Sequence, residues 1–218
     1  MTAGRTDVPA QRTDVPAGRT DVPAGRTDVT AGLVLAAGGG TRFGTPPKQL
    51  ADLGGRPLLE WAVEAQCAVP ALERVVVVLG AHADEVTAHV RFGRAETVVC
   101  AEWESGQAAS LRRGLAELSG AGKVIVTLGD APLVTSEVIE RFVGEPPRTR
   151  ATYDGRPGHP VVLGSDEIRA LTALRGDRGA RDLLRGGPVI EVGHLCSGRD
   201  VDTPEDLEEV RGEVRAII

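Results

Sequence analysis

Residues 38–48 read GGGTRFGTPPK, three glycines followed by two cations, Arg42 and Lys48. Without Cβ atoms, consecutive glycines let backbone N–H groups converge on phosphate oxygens. Arg42 can fork onto phosphate oxygens with two parallel bonds, and Lys48 can set a point charge beside a different phosphorus. Pro46 and Pro47 restrict the loop and limit the entropy lost when it is ordered. A nucleoside triphosphate suits such a loop; the bland alternative is a glycine-rich turn with solvated cations. Two better-known phosphate loops do not fit. A Walker A loop needs GxxxxGK[ST], whereas Lys48 lies between Pro47 and Gln49. A dinucleotide fingerprint needs GxGxxG, and Phe43 takes the place of its third glycine.

Carboxylates supply the complement. Asp130 closes the apolar run KVIVTLGD, a costly place for a charge that binds nothing. Asp200 and Asp202, in RDVDTPEDLEEV, fall at another apparent strand end. One or two carboxylates that hold Mg²⁺ against substrate phosphates are a common arrangement. Asp202 can equally be read as part of a helix start, because DTPED is a good one. No Ser-His-Asp or Cys-His arrangement offers a nucleophile with its base.

These residues need elements to hold them at one end of a sheet. LVLAA (33–37) reads as a buried strand, as do RVVVVLG (74–80) and KVIVTLGD (123–130), and ETVVC (96–100) reads as a further strand. Helical spacing between them covers 57–68, 83–90, 105–119 and a stretch from an N-capping Thr135 to about Val143. TRATYDG and GHPVVLG suggest an antiparallel excursion; a strand near Val189 and a helix capped by Thr203 follow. The alternation implies an α/β fold, Rossmann-like and doubly wound, with a mostly parallel sheet. Ligands gather at the carboxyl ends of such strands, where both the glycines and Asp130 fall.

Composition agrees and excludes. Of 218 residues, 41 % are apolar and only 3 % aromatic, so the core must be built of Val, Leu and Ala, as in covered parallel sheets. A formal charge of −6 argues against a nucleic-acid binder with a general basic surface. No apolar run reaches the about 18 residues of a membrane span, and no secretory signal opens the chain. Cys67, Cys100 and Cys196 are far apart and read as core residues of a reducing compartment, the cytoplasm. Residues 1–30 repeat AGRTDVP-like units of seven, with too few apolar residues to fold. They are expected to form a disordered tail ahead of a single domain over 31–218. The last repeat runs through VTAG into the first strand, which suggests a natural start at Val29.

LAAGGGTRFG, PKQL, GDAPLV, GRPGHPVVLG, GDRGAR and DVDTPEDL stand in one order from Leu33 to Leu207. Together they resemble the molybdenum-cofactor nucleotidyltransferases, most of all the cytidylyltransferase branch. The resemblance implies a nucleotide-diphospho-sugar-transferase type of fold. It implies transfer of CMP from CTP to molybdopterin with Mg²⁺, and a molybdenum hydroxylase as a possible recipient of the product. Nucleotide contacts would come from Leu35, Ala36, Ala37, Gly38, Gly39, Gly40, Thr41, Gly80, Ser105, Gly106 and Ser110. Catalysis would fall to Arg42, Lys48 and Asp130, and metal binding to Asp130, Asp202 and Asp200. Gly158, His159, Pro160, Asp177, Arg178 and Arg181 would face the acceptor. His159 reads equally as a hydrogen-bonded turn histidine, and the two arginines as solvated helix-start charges. The chain departs from the family at Gly40, where Ser or Thr is usual, at the extra proline before Lys48, and at Ala131, where Gln is common. An acceptor phosphate is already largely ionised at neutral pH, so no general base is required. Ala36-Ala37 stands where guanylyl-transferring relatives read LAGG. Rival readings are transfer to another phosphorylated acceptor, such as a phospholactate or sugar phosphate, and a non-catalytic nucleotide sensor.

Overall fold

The computed structural model describes residues 29–173 and 186–217. The expected tail, and with it Asp177, Arg178 and Arg181, lies outside the described residues apart from Val29 and Thr30. The first strand, β1 (Thr30–Ala36), starts three residues earlier than its apolar run suggests. Val29 ahead of it is already buried, and its carbonyl accepts the amides of Gly122 and Lys123.

A short 3₁₀ turn (Lys48–Leu50) leads to a small antiparallel pair, β2 (Asp52–Leu53) and β3 (Arg56–Pro57), and then to α1 (Leu58–Cys67). Next come β4 (Arg74–Leu79), α2 (Ala83–His89) and β5 (Glu96–Val99). A second 3₁₀ turn (Trp103–Ser105) opens α3 (Gln107–Glu117), which returns the chain to β6 (Lys123–Leu128). The remainder is α4 (Ser136–Val143), β7 (Arg150–Tyr153), β8 (Arg156–Gly164), α5 (Ser165–Ala173), β9 (Val189–Glu191) and α6 (Pro204–Ile217). Thr135 stands at the N-cap of α4, but its hydroxyl makes no capping bond there.

Seven strands form one sheet in the order β5-β4-β1-β6-β8-β7-β9. The first four run parallel, β8 pairs antiparallel with both β6 and β7, and β9 runs parallel to β7. This is the expected doubly wound α/β fold with its antiparallel excursion. Apolar residues at successive positions fill both faces. Leu33 and Leu35 pack with Val76, Val78, Val124 and Val126 under α3 and α5. Val34 and Ala36 face the other way, with Val77 and Leu79, onto Leu59, Ala62 and Val63 of α1. Both-sided burial explains why these strands read as unbroken apolar runs.

From β1 the chain winds outward to β4 and β5, then crosses back to β6 on the other flank of β1. The strand order reverses there, which leaves a crevice at the carboxyl ends of β1 and β6. The glycine loop leaves β1 into this crevice and Asp130 leaves β6 into it.

Candidate active site

A cleft of about 320 Å³ opens at this reversal. Its walls include residues 35–39, Lys48, Gln49, Leu58, Trp103, Glu104, Gly106, Gln107, Ser110 and residues 128–130. Beyond Ala36 the loop leaves the sheet. Among the described residues, the amides of Ala37, Gly38, Gly39 and Gly40 have no protein acceptor. Gly40 takes a positive φ of 57°, and a Cβ there would stand 3.1 Å from Lys48 Cγ. That accounts for glycine at a position where the resembling family carries Ser or Thr.

Lys48 is the centre of the charged cluster. Its residue is only 8 % exposed. Nζ donates to Asp130 Oδ2 at 2.5 Å, to Asp202 Oδ1 at 3.0 Å and to the Val201 carbonyl at 3.3 Å, so all three of its protons are used. Burial works against the ammonium, but the charges and hydrogen bonds of Asp130 and Asp202 outweigh it and hold Lys48 above the usual lysine range. Arg42, exposed on the loop, donates to Asp202 Oδ2 at 2.7 Å. The second oxygen of Asp130, Oδ1, is buried and has no partner among the described residues.

The segment that brings Asp202 is not a strand. The sequence places Asp200 and Asp202 at a strand end, yet residues 193–203 carry no strand. The segment is fixed instead by Val201, which is fully buried among Leu53, Leu58, Leu133 and Leu207 and donates its amide to the Asp130 carbonyl at 2.8 Å. One apolar anchor between two aspartates thus ties the segment to the end of β6. Immediately after it, the amides of Asp202 and Thr203 donate to Asp206 Oδ2 and the Thr203 hydroxyl receives the Asp206 amide, a reciprocal cap that starts α6. Asp202 therefore both borders the cap and turns its carboxylate to Lys48. Asp200 is open to solvent on one side; desolvation on the other, with the charges of Asp130 and Asp202, pushes its carboxyl up to about 7.

Among the described residues no three His, Cys, Asp or Glu side chains form a closed metal cage. Asp130 and Asp202 instead make an open pair, joined by a lysine ammonium and with one buried carboxylate oxygen to spare. A hard cation that keeps waters and shares substrate phosphates needs no more protein oxygens than this pair offers.

The other expected positions divide. Leu35, Ala36, Ala37, Gly38, Gly39, Gly106 and Ser110 line the cleft, whereas Gly40, Thr41, Gly80 and Ser105 do not. The Ser105 hydroxyl is spent on the Glu102 carbonyl at 2.7 Å. Gly80 allows close packing: a Cβ there would meet the Ala37 carbonyl at 2.5 Å and Trp103 Cβ at 2.6 Å. Gly158, His159 and Pro160 lie on β8, away from the cleft wall. A Cβ on Gly158 would strike the Tyr153 ring, and Tyr153 donates its hydroxyl to the His159 carbonyl at 2.5 Å. Desolvation lowers the His159 imidazole to about 4, so at neutral pH it offers a hydrogen bond and no charge. Sequence reasoning missed Gln49, Trp103 and Gln107. Trp103 left a signal as one of two tryptophans in an aromatic-poor chain, and Gln49 stands within the PKQL motif, although sequence alone assigns neither a role.

A family model, the MobA-like NTP transferase domain, matches residues 32–194. The chain belongs to this family. As an NTP transferase domain it is 34 % identical over 190 residues to nicotine blue oxidoreductase of Paenarthrobacter nicotinovorans, covering 80 % of this chain and 93 % of that one. It is 38 % identical over 176 residues to the bifunctional protein GlmU of Cutibacterium acnes, but spans only 37 % of that protein's length. Among solved structures, the homolog of Mycobacterium tuberculosis Rv0371c from a Mycobacterium strain superposes with a TM-score of 0.73 at 30 % identity, covering 88 % of this chain and all of that one. Rv0371c from M. tuberculosis, solved in complex with manganese, superposes at 0.69 and 28 % identity over 84 % of this chain and 98 % of that one. Among the described residues of this NTP transferase domain, no helix is long and apolar enough to cross a membrane.

Proposed function

We propose that the protein is a cytoplasmic cytidylyltransferase that moves CMP from CTP onto the terminal phosphate of molybdopterin. The observation that carries this reading is the juxtaposition of loop amides that have no acceptor among the described residues with a lysine bridging two aspartates at the strand reversal. An oxygen of the acceptor phosphate attacks the α-phosphorus of CTP, the new P–O bond forms as the α–β bridge breaks, and pyrophosphate leaves. The attacking oxygen carries no proton to be removed, so the lack of a catalytic base is no obstacle. Residues 37–40 hold phosphate oxygens through backbone amides, Arg42 faces the distal phosphates, and Lys48, bonded to Asp130 and Asp202, sets its charge beside the α-phosphate. Asp130 and Asp202 would hold Mg²⁺, which supplies charge neutralisation on the phosphates when bound. The manganese complex of Rv0371c supports a divalent ion in a related fold.

Cytidine over guanosine rests on Ala36-Ala37, which line the cleft where guanylyl-transferring relatives have a glycine. A methyl group discriminates by only about 1–3 kcal/mol, so CTP is to be tested against GTP directly. His159 and Arg181 belong to the acceptor side of this reading, and a molybdenum hydroxylase is the recipient of the product. One observation favours a second reading. The relative matched over 93 % of its own length is named an oxidoreductase, so the same cleft could hold a reduced dinucleotide. The deciding experiment incubates the protein with Mg²⁺, molybdopterin and CTP, GTP or ATP, and follows pyrophosphate. Release with CTP alone supports the proposal. Release only with a different phosphorylated acceptor reassigns the acceptor. Binding of CTP without release points to a sensor, and NADH oxidation without release points to the second reading.

A further inference from the structure

Gln49 follows Lys48 in the 3₁₀ turn and is only 3 % exposed. Its side-chain nitrogen donates to the Ala36 carbonyl at 3.2 Å and to the Gly38 carbonyl at 2.8 Å. Both amide protons are thereby spent on the last residue of β1 and on Gly38 in the loop beyond it. Its oxygen, Oε1, is buried without a partner among the described residues. The opposite amide orientation would set that oxygen against two carbonyl oxygens, so the two donors decide how the side chain lies. The unpartnered oxygen is an unfavourable feature that the fold retains to keep the two donors in place.

We infer that Gln49 is a positioning residue that fixes which way the glycine loop presents its amides. The peptide unit is planar and trans, so a carbonyl drawn to Gln49 turns the N–H of the next residue the opposite way. Drawing in the Ala36 and Gly38 carbonyls therefore aims the amides of Ala37 and Gly39 away from Gln49, and neither has a protein acceptor among the described residues. Glycines at 38–40 make the loop permissive, and without an outside hold the peptide planes would rotate. Gln49 supplies that hold from a turn that is itself closed by bonds from Leu50 and Ala51 to the Pro47 and Lys48 carbonyls. Adjacent residues thus divide the work: Lys48 reaches the carboxylates and Gln49 sets the loop. The inference deepens the nucleotidyltransferase reading and rests on it, since it names what orients that site's phosphate-facing amides.

The test measures binding and needs no acceptor. Calorimetric titration of wild type, Gln49→Leu and Gln49→Glu with Mg²⁺ and either CTP or inorganic pyrophosphate reads the phosphate-facing part of the site. Gln49→Leu keeps the volume and removes both donors; its affinity for both ligands is expected to fall at least tenfold, with an unchanged circular dichroism spectrum. Gln49→Glu is expected to bind as poorly at pH 8 and to recover part of the loss by pH 5.5, where the protonated acid regains one donor. A merely structural role would not produce that pH-dependent recovery, and it keeps the inference testable if Gln49→Leu does not fold. Affinities within twofold of wild type in both variants would overturn the role of Gln49 alone. A wild type that binds neither ligand would overturn this inference together with the reading beneath it.

Discussion

Two groups of backbone amides in this molecule meet opposite fates. Where the turn between β7 and β8 meets the end of β9, the amides of Asp154, Gly155 and Gly193 and the hydroxyl of Thr152 all close on the carboxylate of Glu191, at 2.8–3.0 Å. At the end of β1, the amides of Ala37 to Gly40 have no protein acceptor among the described residues, although carboxylates stand close by. The difference lies in where those carboxylates are committed. Asp130 and Asp202 are held by Lys48, and Asp202 also by Arg42, so they are kept from folding back onto the loop. A nest that the chain fills with its own anion is architecture, and one whose neighbouring anions are tied to lysine is available to a ligand.

The largest effect that would break this comparison belongs to the carboxylate side. Asp130→Asn should lower turnover on the order of 100-fold or more while the CTP KM moves little, because the charge it helps to neutralise grows in the transition state. Steady-state kinetics of pyrophosphate release decide it, and near-normal turnover would remove Asp130 from catalysis. Gly80→Ala probes the open loop. Its new methyl would fall 2.5 Å from the Ala37 carbonyl. Crowding of that kind should displace the loop and raise the CTP KM about tenfold, with a smaller change in kcat.

The filled end of the molecule should answer to acid instead of nucleotide. His159 is lowered to about 4 in the fold from an ordinary 6.5, so the unfolded chain takes up a proton that the folded chain refuses. Stability should therefore be full above about pH 6.5 and be lost progressively as pH falls toward 4, and His159→Gln should flatten that slope in thermal melts. Hydrogen bonds from Gly155, Gly193 and Thr152 hold Glu191 down to about 2 from an ordinary 4.5. Its contribution is present above 4.5 and disappears as pH falls through about 2. Glu191→Gln should lower Tm at pH 7 without altering the CTP KM, and the gap to wild type should narrow below pH 4.5. A changed KM in that variant would mean that the two nests are coupled.

The parallel half was legible because both-face burial writes continuous Val and Leu runs, and β1, β4 and β6 lie on those runs, whereas β5 at the sheet edge is largely exposed. The glycine loop and Asp130 could be placed together because strand ends carry ligands in this class of fold. Chemistry set by an irregular segment was not legible. Residues 193–203 look like a strand end only because Val201 is apolar, but the alternation there records a single anchor and no ladder. Gln49 stands within the PKQL motif, but its role left no trace, because a glutamine that bonds two carbonyls across an intervening residue has no spacing to betray it. Lys48 was expected to face phosphate, and its engagement with two carboxylates depends on contacts 82 and 154 residues distant in sequence.

Those separations also bear on how the molecule comes into being. Contacts between distant residues are costly to close and are made late. The lysine and the first aspartate can meet once the strands around β1 and β6 have paired, but Asp202 arrives only when the segment anchored by Val201 docks. During synthesis, which proceeds from the amino end, a chain halted near residue 190 would already hold most of its sheet and only half of its charged cluster. Maturation of the cleft would then be the last event of folding, separable in time from collapse of the sheet.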